Sequence, residues 1–161
     1  MHGSKFGARD RLTEANRLSP PVARETFLTP GQIGLAVDAL AAAQDLNRET
    51  RATHAAGFFV PADGSMIVRE DVGRHNALDK LAGALAIADV SGKSGAVILT
   101  SRISVEMVQK AAAIGSGIIV AVSAPTALAI RTAETSGITL VGIARGSDFE
   151  IFSHPAGIAL Y

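Results

Sequence analysis

The chain has 161 residues, with 15 basic and 15 acidic side chains and no cysteine. That length suits one domain with enough chain to bury a core. The balanced charge offers no basic excess for a nucleic-acid partner, and the lack of thiols removes disulfides, thiolate metal sites and thiol nucleophiles from this chain.

Aromatic residues are scarce and Trp is absent, so the core is expected to be built from Ile, Val, Leu and Ala. No apolar run reaches transmembrane length and no signal-peptide pattern opens the chain, which makes a cytoplasmic protein with no membrane partner the expectation. Met1-His2-Gly3-Ser4 can be a tag remnant and is left out of the fold reading.

Residues 1–28 are mixed and charged, then broken by Pro20-Pro21, and read as an irregular or partly helical lead-in. A single α/β domain is expected over 29–161. Thr29-Pro30 is a helix start, with Thr as N-cap and Pro in the first turn. Ile33, Val37, Leu40 and Ala41 recur at helical spacing, predicting a helix over 30–46 and a solvated connection at Asn47–Arg51. Two apolar runs around Pro61-Ala62-Asp63-Gly64 predict a hairpin over 54–70. A helix over 73–88 follows.

Gly92-Lys93-Ser94 copies the end of a phosphate-binding P-loop. The full motif needs an earlier Gly where Ile87 stands, and a helix where the strand-like Ala96-Val97-Ile98-Leu99 follows. It is therefore read as an ordinary loop. Strands at 95–100, 118–122 and 138–143 then alternate with helices at 105–114 and from Thr126 to about Ser136, and a short strand closes the chain at 149–153. Gly115 and Gly137 stand where helices should end. The order α-β-β-α-β-α-β-α-β-β predicts a mixed, mostly parallel sheet of five to six strands, helix-covered on both faces in three α/β/α layers.

Polar residues gather at three strand-to-helix turns: Glu70, Asp71, Arg74 and His75 after the second strand; Ser101, Arg102 and Ser104 after the third; Ser123 and Thr126 after the fourth. If those strands run parallel, the turns share one carboxyl edge, where open α/β sheets bind ligands. Two arginines, hydroxyls and helix N-termini suit an anionic ligand, most simply a phosphate or pyrophosphate. Ordinary helix capping would place some of the same residues there. His75, in the first turn of a helix, is open to a catalytic or a structural role. His54 and His154 read as structural. A zinc site from His75, Glu70 and Asp71 lacks the usual spacing, and no nucleophile elbow supports a serine triad.

These residues carry a resemblance. Thr53-His54-Ala55-Ala56, the run from Glu70 to Lys80, Ser101-Arg102 with Glu106 to Lys110, Ser123-Ala124-Pro125-Thr126, and Leu140-Val141-Gly142 with Arg145-Gly146 are similar to the FdhD/NarQ family over roughly residues 26–156. The resemblance implies a cytidine-deaminase-like fold without its zinc. It also implies a formate dehydrogenase accessory sulfurtransferase that receives sulfur from a cysteine desulfurase and passes it to the molybdenum cofactor, bis-molybdopterin guanine dinucleotide. Formate dehydrogenase, a homodimeric partner copy and a GDP-like nucleotide as cofactor mimic are expected with it.

On that basis Arg74, Arg102, Ser101, Ser123 and Thr126 are expected to contact phosphates. Glu70, Asp71 and His75 are expected to orient the loop or meet the guanine or pterin. His54, Gly73, Asn76, Lys80, Ser104, Glu106 and Pro125 complete the expected binding set. The family's sulfur carriers hold a Cys-Gly-x-Cys-Gly segment just before this domain. Gly3 and Phe6 stand where its cysteines would fall. Two readings follow: a sulfurtransferase whose cysteines lie outside this sequence, or a cysteine-free relative that only binds the cofactor or the dehydrogenase. A hydrolase or transferase built on His75 and its carboxylates is a third, weaker reading.

Overall fold

A computed structural model describes residues 21–160; residues 1–20, most of the lead-in, lie outside that range. Helix α1 (Pro30–Ala42) starts at a reciprocal capping box, in which Thr29 Oγ1 accepts the Gln32 N–H at 3.2 Å and Gln32 Oε1 accepts the Thr29 N–H at 2.9 Å. It stops earlier than its periodicity suggests. The stretch expected to be a solvated connection is instead a second short helix, α2 (Asp45–Thr50). A carboxylate from a distant strand makes the difference: Glu70 accepts the Leu46 and Asn47 N–H groups at 2.9 and 3.1 Å, capping α2 from outside.

The hairpin β1 (His54–Val60) and β2 (Ser65–Asp71) forms as expected, with Gly64 at φ +73° in its turn. After it come α3 (Arg74–Ala88), β3 (Ala96–Leu99), α4 (Val105–Ile114), β4 (Ile118–Ala121), α5 (Ala127–Ser136), β5 (Thr139–Arg145) and β6 (Asp148–Ser153). Gly115 and Gly137 end α4 and α5 in the left-handed conformation.

The six strands form one mixed sheet in the order β2-β1-β3-β4-β5-β6. β3–β4 and β4–β5 pair parallel; β1–β2, β1–β3 and β5–β6 pair antiparallel. It follows that β2, β3, β4 and β5 all run the same way. Their carboxyl ends share one edge with the start of β1, where His54 faces Asp71 across the ladder.

Alternation along the strands builds the layers. Val97, Leu99, Ile119 and Ala121 face α3, α4 and α5, whose Leu78, Leu81, Met107 and Ala133 complete one core. Ala96, Ile98, Ile118 and Val120 face α1, where Ile33, Ala36 and Leu40 complete the other. A strand buried on both faces reads as a continuous apolar run, and β3 and β4 do. Leu28, expected to end the lead-in, is fully buried and bridges to Ile158 in the second core. Among the described residues, no helix is long and apolar enough to cross a membrane.

Candidate functional site

The turns after β2, β3 and β4 meet at the shared carboxyl edge. They enclose a crevice of about 420 Å³, lined by His54, Arg74, Ser101, Arg102, Ser104 and Thr126. That volume falls in the range of small-molecule sites. All six residues belong to the set expected from the sequence.

Arg74 opens α3, Ser104 is the N-cap of α4 and Thr126 is the N-cap of α5, so three helix starts border one space. Two of them lack a side-chain cap. Gly73, at the N-cap of α3, has no side chain to offer, and Ser104 makes no capping bond. The first-turn N–H groups of α3 are therefore open to an anion, while in the first turn of α4 the Glu106 N–H already meets its own carboxylate. The third start is capped, because Thr126 Oγ1 accepts the Ala129 N–H at 3.1 Å; its own O–H is still free to donate. Among the described residues, neither the Arg74 nor the Arg102 guanidinium forms an ion pair or hydrogen bond, and both are exposed at the crevice.

The Ser104 hydroxyl oxygen is sealed from solvent and has no well-formed hydrogen bond among the described residues. It lies near the Glu106 carboxylate without bonding it in good geometry. The Glu106 carboxyl is held below its usual range, first by its own backbone N–H, then by the Ser104 hydroxyl, with the charges of His75 and Arg74 adding. Glu106 and His75 thus stand beside the crevice. Ser101 is buried, and its hydroxyl reaches the Met107 sulfur at 3.7 Å. Ser123 Oγ reaches the Thr100 carbonyl oxygen at 3.5 Å, and Pro125 bridges to Ile103, which fixes the entry to α5.

The remaining expected residues knit the turn itself together. Asp71 accepts the Gly73 N–H at 2.8 Å and pairs with Lys80 at 2.7 Å. Lys80, the Gly73 amide and the Asn76 side chain bring the Asp71 carboxyl down to about 2. Lys80 also donates to the Glu70 carbonyl oxygen at 3.1 Å. A Cβ on Gly73 would come within 3.3 Å of Asn76 Nδ2. The Glu70 carboxylate turns away from the crevice to α2 and to Thr53 Oγ1, which donates to it at 3.1 Å. Sequence reasoning placed Ile143 only as the last residue of a strand; its N–H donates to the Ser123 carbonyl oxygen at 3.2 Å while its φ is +54°. Nothing in a β-branched residue signals that conformation in advance.

Comparisons with known proteins bear on this arrangement. The sequence model of the FdhD/NarQ family matches residues 2–159. The chain belongs to the FdhD/NarQ family. It is 54% identical over 152 residues to a protein of Agrobacterium fabrum named sulfur carrier protein FdhD, covering 94% of this chain and 56% of that one. A protein of the same name from Brucella abortus is 57% identical over 122 residues, covering 76% of this chain and 45% of its own length. A solved structure, described as a formate dehydrogenase accessory protein from Desulfotalea psychrophila, superposes with a TM-score of 0.82 at 31% identity, covering 91% of this chain and 62% of that one. The chain spans about half the length of the curated relatives it matches.

Proposed function

We propose that this chain is the cofactor-binding domain of a sulfur carrier that serves formate dehydrogenase maturation, and that the crevice holds the phosphates of a molybdopterin guanine dinucleotide. One observation carries the reading: two guanidiniums with no partner among the described residues and two helix starts without side-chain caps border the same space. A phosphate satisfies both kinds of donor at once.

In this reading Arg74 and Arg102 clamp the anion, Thr126 donates its O–H, and His54 closes the side formed by β1. Lys80, Asp71 and Asn76 hold the α3 turn in place rather than touch the ligand. The bound cofactor supplies the molybdenum chemistry of the dehydrogenase it enters. Its sulfur would come from a cysteine desulfurase through thiols that these 161 residues do not contain. Formate dehydrogenase as recipient, a homodimeric state and a cytoplasmic location belong to the same proposal, supported by family membership. The absence of cysteine favours one second reading: a module that binds the nucleotide cofactor or the dehydrogenase without transferring sulfur.

Calorimetric titration with GDP tests the binding claim. The native chain should bind, and Arg74→Ala and Arg102→Ala should each weaken binding roughly ten- to hundred-fold, the worth of a charge-assisted hydrogen bond. Raised salt should weaken the native complex too. A folded native chain that ignores GDP, or variants that bind as well as it does, would contradict the reading.

A further inference from the structure

The loop from Val122 to Thr126 joins β4 to α5 and brings Thr126 to the crevice. Neighbouring turns hold it at both ends. The Val122 N–H donates to the Leu99 carbonyl oxygen at 3.2 Å, and the Thr126 N–H donates to that of Ile103 at 3.0 Å. Its middle is held from the other side, by β5.

To reach that loop, β5 leaves its own ladder. Where β4 and β5 pair in parallel, the Thr139 N–H donates to the Gly117 carbonyl oxygen at 2.9 Å. A parallel strand donates from every second residue at a constant step, so regular pairing would bring the Ile143 N–H to the Ala121 carbonyl. It goes instead to the Ser123 carbonyl oxygen, beyond the end of β4, at 3.2 Å. Two features make the slip. The β5–β6 register shifts between Gly142 and Arg145, and Ile143 takes φ +54°. Gly142 then lets the two backbones close in. A Cβ there would stand 3.1 Å from both the Ser123 carbonyl oxygen and Pro125 Cδ, and 2.9 Å from the Phe152 ring.

A β-branched residue in the left-handed region is strained, and such strain persists only where the surroundings impose it. Packing of the Ile143 side chain does not impose it, since that side chain is 37% exposed. Bulges re-aim groups beside functional sites, and the group re-aimed here is a backbone N–H. Glycine would reach the same φ without strain but would leave that N–H free to swing. We propose that Ile143 is a positioning residue of the crevice. Its N–H fixes the Ser123 carbonyl oxygen, and through that loop it sets where the Thr126 hydroxyl meets an anion. In that last respect the inference rests on the phosphate reading above.

The test compares the full chain with Ile143→Asn, Ile143→Gly and Ile143→Pro. It reads GDP affinity by calorimetry, amide hydrogen exchange at Val122 and Thr126 by NMR, and the melting temperature. Asn tolerates the left-handed region and keeps the N–H, so Ile143→Asn should retain native affinity and native loop exchange. Ile143→Gly should exchange the loop amides about ten-fold faster and bind GDP about three- to ten-fold more weakly, the worth of one hydrogen bond. Ile143→Pro loses the N–H and cannot take that φ, so it should lose about ten-fold or more in affinity. If the proline chain does not fold, the Asn and Gly variants carry the test. Native loop exchange and native affinity in Ile143→Gly, with only the melting temperature changed, overturn the positioning role. They leave the bulge to core packing, where it lets Ala144 join Val141 on the α1 side. Equal losses in the Asn and Gly variants overturn it too, because the side chain would then be what matters. Faster loop exchange in Ile143→Gly, in a chain whose native form ignores GDP, removes the phosphate reading and keeps the hold of Ile143 on the loop.

Discussion

Lys80 Nζ lies 2.7 Å from Asp71 Oδ1, so the start of α3 is tied to the end of β2 by an ion pair that closes over Gly73. Both partners keep contact with solvent, the Asp71 side chain at 22% and that of Lys80 at 52%. The pair is therefore screened and works mainly through geometry.

Its pH dependence has a definite sign. The Asp71 carboxyl, ordinarily at 3.8, is lowered to about 2 in the folded chain, chiefly by Lys80. A depressed carboxylate stabilises the fold above its unfolded value and loses that contribution as pH falls through the folded one. Thermal melting should thus show Asp71→Asn below the native chain at neutral pH. The gap should narrow from near pH 4 down toward pH 2, the interval between the two values. A gap that stays constant over that interval would show that the charge is not what Asp71 contributes.

Glu70 is expected to act on stability before binding. Its carboxylate takes three donors, the N–H groups of Leu46 and Asn47 and the Thr53 hydroxyl. Glu70→Ala should cost about 1–2 kcal/mol, as the loss of a helix cap does. Chemical denaturation measures the cost, and GDP affinity should change far less than with Arg102→Ala. Loss of affinity equal to that of Arg102→Ala would return Glu70 to the ligand.

The Gly92-Lys93-Ser94 turn is structural. A Cβ on Gly92 would fall 1.9 Å from the Ile114 carbonyl oxygen, a collision with backbone that no rotamer relieves. Gly92→Ala should destabilise by about 1–3 kcal/mol, as overpacking does. Lys93→Ala, at an exposed side chain, should leave nucleotide affinity within about two-fold. A large affinity loss with Lys93→Ala would restore a phosphate role to this loop.

Much of the fold was legible because local rules and tertiary contacts agree. Thr29-Pro30 and Gln32 form their cap within four residues, and β3 and β4 announce double burial by unbroken apolar runs. Arg74, Ser101, Arg102, Ser104 and Thr126 could be placed together because four strands share a direction. What stayed hidden depends on residues far apart in the chain. The second helix, α2, needs Glu70, more than twenty positions away. For the same reason Glu70, grouped with Asp71 by adjacency, faces elsewhere: consecutive strand residues point to opposite sides. The hold of β5 on the Ser123 carbonyl needs the bulge at Ile143, and no residue pattern advertises it.

Amide chemical-shift mapping by NMR during a GDP titration reads the binding claim at the residues themselves. The crevice account predicts the largest, saturable shifts at the first-turn amides of α3 and α4, from Arg74 to Asn76 and from Val105 to Met107, with His54, Ser101 and Arg102 following. Shifts concentrated around Lys93, or no saturable shift in a chain that gives a folded spectrum, would contradict it.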